Sequence, residues 1–248
     1  MDATAYLARI GLDPGIEPTL ANLERLQRAH LTAVPFENLD VFHRRGVRTT
    51  EDWSVPKIVD RRRGGWCFEL NGAFAWLLTE LGYRVRRLAA TVIGGSDSPM
   101  PTHLTLEVSL DRPYLVDVGF GDSFIRPLPL DSEGPHDGGT GRYGFVFEDT
   151  MTTLVSHEED DGIKPQYRFG PDERTTAGFE PASMYLQTTP GLAWTESRFA
   201  TRLIDGGPDR VTLLEDVLKF RREGVWIEER IEPDDWAEHL HLWFEMTP

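Results

Sequence analysis

Residues 63–93 read RGGWCFELNGAFAWLLTELGYRVRRLAATVI, and a change of rhythm inside this stretch decides the fold. Over 67–81 the apolar residues Leu70, Phe74, Leu77, Leu78 and Leu81 recur at three- and four-residue steps, which gathers them on one face of a helix. Gly82 follows as a stop signal. From Tyr83 the period drops to two, the repeat of a strand with one buried face. A helix handing over to alternating strands makes this an α+β chain.

Working outward, the preceding residues favour helix. Leu20, Leu23, Leu26, Gln27 and Leu31 form a helical stripe with Thr19 placed to cap it, and Pro35 and Pro56 punctuate the segment between this stripe and Cys67. Downstream, 85–93, 103–110, 113–118, 142–147 and 152–155 read as strands. Gly94 with Gly95, Asp111 with Arg112, and the run 134–141 supply turns or loops. Short strands so spaced predict an antiparallel barrel or sandwich. The acidic run 158–161 reads as a solvated loop. The C-terminal part mixes a short helix over 179–186 with strands over 199–204, 211–214, 217–221 and 225–231. Pro233 opens a final helix through Phe244, with Asp234 and Asp235 suited to its dipole. Three packed subdomains are expected, at 1–83, 84–185 and 186–248.

The chain has 248 residues and 40% hydrophobic content, enough for a substantial core. Its 41 acidic against 26 basic residues give a formal charge of -15. Nucleic acid and anionic membranes reward the opposite sign, so neither is expected as a partner. A phosphate-bearing ligand would need a local basic or backbone-amide site. No apolar run approaches the length of about eighteen residues that spans a bilayer. The first ten residues carry Asp2 and Arg9 and lack a signal pattern, so a cytoplasmic location is expected. The single cysteine excludes an internal disulfide and a multi-cysteine metal site, and no metal is expected.

That cysteine stands at the first turn of the strongest helix. A helix N-terminus offers unpaired N–H groups and partial positive charge, which favour a thiolate, and Gly64 with Gly65 would let the backbone turn sharply toward a ligand. A nucleophilic cysteine needs an oriented base. Of seven histidines, His30, His239 and His241 fall on amphipathic helices, and His43, His136 and His157 fall in loops. His103 differs. It heads a strand whose Leu104, Leu106, Val108 and Leu110 share one face, while His103, Thr105, Glu107 and Ser109 share the other. Asp117 interrupts the apolar run Tyr114-Leu115-Val116-Asp117-Val118, where a carboxylate is costly unless hydrogen-bonded. A hairpin through Asp111-Arg112-Pro113 would set it beside His103, where it can hold the imidazole tautomer. A simple turn or strand-end role for Asp117 stays open on spacing alone.

Four ordered motifs carry a resemblance. Residues 63–71, RGGWCFELN, look like the nucleophile motif of the arylamine N-acetyltransferases, and Pro35-Phe36-Glu37-Asn38-Leu39 looks like their N-terminal signature. Thr102-His103 and Val116-Asp117-Val118-Gly119-Phe120-Gly121 look like their histidine and aspartate motifs. The resemblance implies an N-terminal helical bundle, a central antiparallel β-barrel and a C-terminal α/β lid around a cysteine-protease-like Cys67-His103-Asp117 triad. It implies acetyl transfer from acetyl-CoA to the nitrogen of an arylamine, arylhydrazine or N-hydroxyarylamine, by a ping-pong route through a cysteine thioester. By similarity, Phe36, Val92 and Phe120 would line the acceptor pocket. Thr102, Gly119, Gly121 and Phe199 would serve CoA. Trp66 departs from the more usual Tyr or Phe, and Asp122 follows the glycines where a small residue is commoner. Arg61 and Arg62 read as a solvated or salt-bridged face, and Arg63 as structural.

Two rival enzymes share the triad logic. An amide synthase closing an ansamycin-type macrolactam would draw on an acidic carrier protein, which this acidic chain suits poorly. A cysteine hydrolase of the transglutaminase or protease kind would cleave without CoA turnover. The physiological acceptor, acyl-length preference and oligomeric state are not written in the sequence.

Overall fold

The computed structural model describes residues 1–95, 98–158 and 162–247. Its N-terminal helices are α1 (Ala3–Arg9), α2 (Leu20–Ala33), α3 (Leu39–Phe42), α4 (Glu51–Val59) and α5 (Cys67–Glu80), with the two-residue strand β1 (Phe36–Glu37) between α2 and α3. The Thr19 cap forms as expected, Oγ1 accepting from Asn22 N–H at 3.3 Å. Helix α5 ends where Gly82 takes φ +87°, a left-handed turn that suits glycine. Its Leu70, Phe74, Leu77 and Leu78 are fully buried, each contributing about 2 kcal/mol by apolar burial.

Strands β2 (Arg84–Val92), β3 (His103–Ser109), β4 (Pro113–Val116), β5 (Leu128–Pro129), β6 (His136–Asp137), β7 (Arg142–Glu148), β8 (Met151–Glu158) and β9 (Gly162–Glu173) come next along the chain. They form one antiparallel sheet in the order β5-β4-β3-β2-β9-β8-β7-β6, and its two edges, β5 and β6, come together. The barrel is therefore the observed alternative, not the sandwich. The alternation read from the sequence holds on β3. Leu104, Leu106 and Val108 join the helical core, while Thr105 points to the other face, where it meets Tyr167 in the barrel interior.

Helices α6 (Glu180–Thr188) and α7 (Ala193–Glu196), strands β10 (Ala200–Leu203), β11 (Arg210–Leu213), β12 (Val217–Arg222) and β13 (Val225–Arg230), and helix α8 (Trp236–Phe244) complete the chain. A second sheet runs β1-β10-β11-β12-β13, and α8 covers it through Trp236, Leu240 and Phe244. The fold is α+β, as the sequence implied.

Several elements differ from expectation. The strand predicted over 113–118 stops at Val116, because Asp117 turns its side chain back onto Gly119 N–H. The run 134–141 holds β6, so His136 lies on a strand, as does His157 on β8. Glu158 ends β8 instead of opening a loop, and 159–161 lie outside the described residues. Strands β1 and β9 were not expected. The final helix proper begins at Trp236, after a single tight turn from Pro233.

Candidate active site

Cys67 is the first residue of α5, 3% exposed, with Trp66 extended before it as the N-cap. Glu69 reaches back so that its Oε2 accepts from Trp66 N–H at 3.3 Å, closing the helix start. Its other oxygen accepts from Lys57 Nζ at 2.8 Å and Trp53 Nε1 at 3.1 Å. Lys57, 1% exposed, also pairs with Asp40 at 2.8 Å and Glu37 at 3.9 Å, and Arg63 Nη2 meets Glu37 at 2.8 Å. Burial opposes the charge on Lys57, yet these three carboxylates together raise its pKa above the ordinary lysine range. Arg63 is thus structural, as the sequence suggested. The glycine pair does not serve as expected. A Cβ on Gly64 would collide with Pro35 O, and one on Gly65 would sit 2.5 Å from Glu69 Oε2. Both positions are small because the chain itself fills the space, and neither adopts positive φ.

The hairpin β3–β4 forms with Leu106 opposite Val116 and brings His103 to Asp117, Nε2 to Oδ2 at 2.6 Å. Cys67 is close enough to the ring to help raise the imidazole pKa. With Nε2 engaged, Nδ1 is the atom left for sulfur. Sulfur further lies 3.8 Å from Thr102 O. Sulfur, imidazole and carboxylate are therefore gathered in one buried place, with the bond between imidazole and carboxylate closed.

Burial alone would pull the His103 imidazolium down. The charge and hydrogen bond of Asp117, helped by nearby Cys67, outweigh it and push the pKa up to about 10. Burial likewise disfavours the Asp117 carboxylate, but His103, Asn71 and the Gly119 N–H hold it below the usual carboxylate range. Its four acceptor positions are all used. Oδ2 accepts from His103 and from Tyr167 OH at 3.0 Å, and Oδ1 accepts from Asn71 Nδ2 at 2.8 Å and Gly119 N–H at 2.9 Å. The turn role left open for Asp117 and the orienting role are thus met by different oxygens of one side chain.

Three residues that sequence reasoning did not assign complete the network. Asn71 lies four residues after Cys67 on the same helix face, a signal that could have found it. Tyr167 sits on β9, its phenol kept neutral by burial and the Asp117 charge, and with its proton on Asp117 its oxygen accepts from Thr105 Oγ1 at 3.1 Å. Gln27 Nε2 donates to Asp117 O at 3.2 Å.

Of the residues singled out for substrates, Phe120, Thr102 and Gly119 touch this site directly. The ring of Phe120 packs edge-on against His103 with centroids 5.4 Å apart. Val92 ends β2, its N–H donating to Thr102 Oγ1 at 2.9 Å. Phe36 lies 5.4 Å from Phe199 and 6.0 Å from Trp194. A Cβ on Gly119 would sit 2.7 Å from Cys67 Cα, and one on Gly121 3.3 Å from Phe36 Cδ1. Glycine at 119 lets the turn press against the nucleophile helix, and Gly121 takes φ +93°. Asp122 is engaged by Arg210 at 3.3 Å and Arg221 at 2.9 Å. Arg62 pairs with Glu245, and Arg61 lies over Trp53, so both follow the salt-bridged and solvated reading.

The profile of a family described as N-acetyltransferase matches residues 19–246. An arylamine N-acetyltransferase of Mycolicibacterium smegmatis is 36% identical over 214 residues, covering 82% of this chain and 75% of that protein. The chain belongs to the arylamine N-acetyltransferase family. A solved M. smegmatis arylamine N-acetyltransferase superposes with a TM-score of 0.91 at 31% identity, covering 100% of this chain and 93% of the other. The Mycobacterium marinum enzyme, solved in complex with CoA, gives 0.89 at 32% identity over 98% and 92%. The chain is accordingly an acyltransferase. Among the described residues no helix is long and apolar enough to cross a membrane.

Proposed function

We propose that this enzyme transfers an acetyl group from acetyl-CoA to the nitrogen of an arylamine, arylhydrazine or N-hydroxyarylamine, by a ping-pong route. Cys67 as thiolate, with His103 as imidazolium, attacks the thioester carbonyl. The tetrahedral oxyanion develops beside the start of α5, where unpaired backbone N–H groups stabilise it. As the C–S bond to CoA breaks, the leaving thiolate takes the proton from His103 and departs as CoA. The amine nitrogen then attacks the Cys67 thioester and gives a proton to His103, and Cys67 leaves as thiolate. Acetyl amide and the starting ion pair result. Asp117 keeps Nδ1 aimed at sulfur through both halves.

In this reading residues 1–83 supply the sulfur, 84–185 the imidazole and carboxylate, and 186–248 the cover. Phe36, Val92 and Phe120 face the acceptor, and Thr102, Gly119, Gly121 and Phe199 face the pantetheine arm. The cytoplasm is the compartment proposed.

The observation that carries the reading is the buried bond of His103 to Asp117, closed at 2.6 Å, with Cys67 buried at the start of α5 and near enough to act on the imidazole. Intact mass after exposure to acetyl-CoA should rise by about 42 Da, mapped to Cys67, and Cys67→Ala should show no rise. Initial-rate patterns that require both substrates bound at once would defeat the thioester route.

A further inference from the structure

One residue of the N-terminal signature is not used by the chemistry. Asn38 is 1% exposed and faces segment 194–199 from across the fold. Its Nδ2 donates to Trp194 O at 2.9 Å and Ser197 O at 2.7 Å, while Oδ1 accepts from Phe199 N–H at 2.9 Å. Its own backbone N–H donates to Phe199 O at 3.4 Å. A carboxamide suits this task because one end offers two donors and the other accepts. The segment needs outside support. Helix α7 spans four residues, too short to hold itself, and Thr195 bonds only locally, to Leu192 O at 3.0 Å and Thr189 O at 3.4 Å.

What the clamp fixes is aromatic. The Trp194 ring lies 5.7 Å from Trp66, 6.0 Å from Phe36 and 5.8 Å from Phe199. Trp66 directly precedes Cys67, and Phe36 lies against Gly121 in the turn after Asp117, so the ring cluster adjoins the segments that carry the site. A cleft of about 300 Å³ opens beside Trp194 and Phe199, lined also by Leu214 and by the charged Arg198, Glu215 and Asp216.

We infer that Trp194 is a specificity-determining residue, packing on the ring of a flat aromatic acceptor, and that Asn38 is the positioning residue that holds Trp194 there. The inference rests on the proposed acyl transfer for its acceptor class. An aromatic ring gains offset or edge contacts with an indole that a saturated ring of equal size does not.

The test is calorimetric binding of phenylhydrazine and 1-aminopiperidine, two six-ring hydrazines, to the intact enzyme in mildly alkaline buffer where both are largely neutral. Trp194→Leu should weaken phenylhydrazine about tenfold, or about 1.4 kcal/mol, and 1-aminopiperidine less than about twofold. Asn38→Asp should show the same split, since a carboxylate would face two carbonyls, and Trp194→Phe should recover most of the loss. Asn38→Ser serves in its place should circular dichroism show Asn38→Asp unfolded. Unchanged phenylhydrazine affinity in Trp194→Leu, equal loss of both ligands, or no binding to the wild type would overturn the inference. A wild type that binds phenylhydrazine but takes no acetyl group from acetyl-CoA would defeat the proposed reaction alone.

Discussion

Asn71 Nδ2 lies 2.8 Å from Asp117 Oδ1, so the helix that carries the sulfur also grips the carboxylate that orients the imidazole. The same amide donates to Leu104 O at 2.6 Å and accepts from Val118 N–H at 2.9 Å. One side chain thereby ties α5 to β3 and to the turn after β4. The spacing of Cys67, His103 and Asp117 is set by these bonds, not by the barrel alone.

Asn71→Ala should strip a donor from Asp117 and leave buried backbone groups unpaired. A stability loss of about 2–3 kcal/mol in urea unfolding is expected. The first-turnover rate of CoA release should fall about 100-fold, beyond what an equally destabilised surface variant shows.

Asp117→Asn keeps the shape but presents an amide to His103, favouring the wrong tautomer. A drop of roughly 10⁴-fold in kcat is expected, with a native far-ultraviolet spectrum. A near-normal rate would remove Asp117 from the triad.

The pH dependence originates in His103. Its pKa is pushed up to about 10 from an ordinary value of 6.5, burial opposing the shift and Asp117 driving it. Stability from the charged ring is therefore complete below 6.5 and is lost as pH rises through about 10. Urea midpoints should decline across that window in the wild type and much less in His103→Gln. If the proposed reaction holds, CoA release should fail over the same upper limb, as the imidazolium assigned to protonate the leaving thiolate disappears.

Lys57→Met would leave Glu37, Asp40 and Glu69 buried beside each other, with Arg63 and the more exposed Arg45 as remaining close cations. Removing one partner of such a cluster costs about 3–5 kcal/mol. Chemical denaturation should show this, and a variant within about 1 kcal/mol of wild type would mean that the carboxylates take up protons without strain.

How far the sequence could be read depended on contrast between faces. Helix α5 and strand β3 set large apolar residues at regular steps between small or polar ones, so their periods of 3.6 and 2 were plain although both are buried on nearly every side, and with them the places of Cys67 and His103. Strand β9 has no such contrast. Its residues GIKPQYRFGPDE include Pro165 and Pro171 and are mostly exposed, so Tyr167 gave no sign of reaching Asp117. Strand β1 spans two residues and owes its form to partners distant in the chain. The glycines beside Cys67 read as room for a ligand, because sequence cannot distinguish space left for a substrate from space filled by Pro35 and Glu69. The acidic Asp122 reads as an obstacle until Arg210 and Arg221 are seen to neutralise it.

Strand β1 has a last consequence. Glu37 N–H donates to Gly65 O at 2.9 Å on one side, and β1 pairs with β10 on the other. The loop leading to the sulfur and the C-terminal sheet are thus sewn along a common main-chain seam. Swinging that sheet outward as a door would tear backbone hydrogen bonds at the nucleophile itself. An opening made by side chains alone would leave that seam closed.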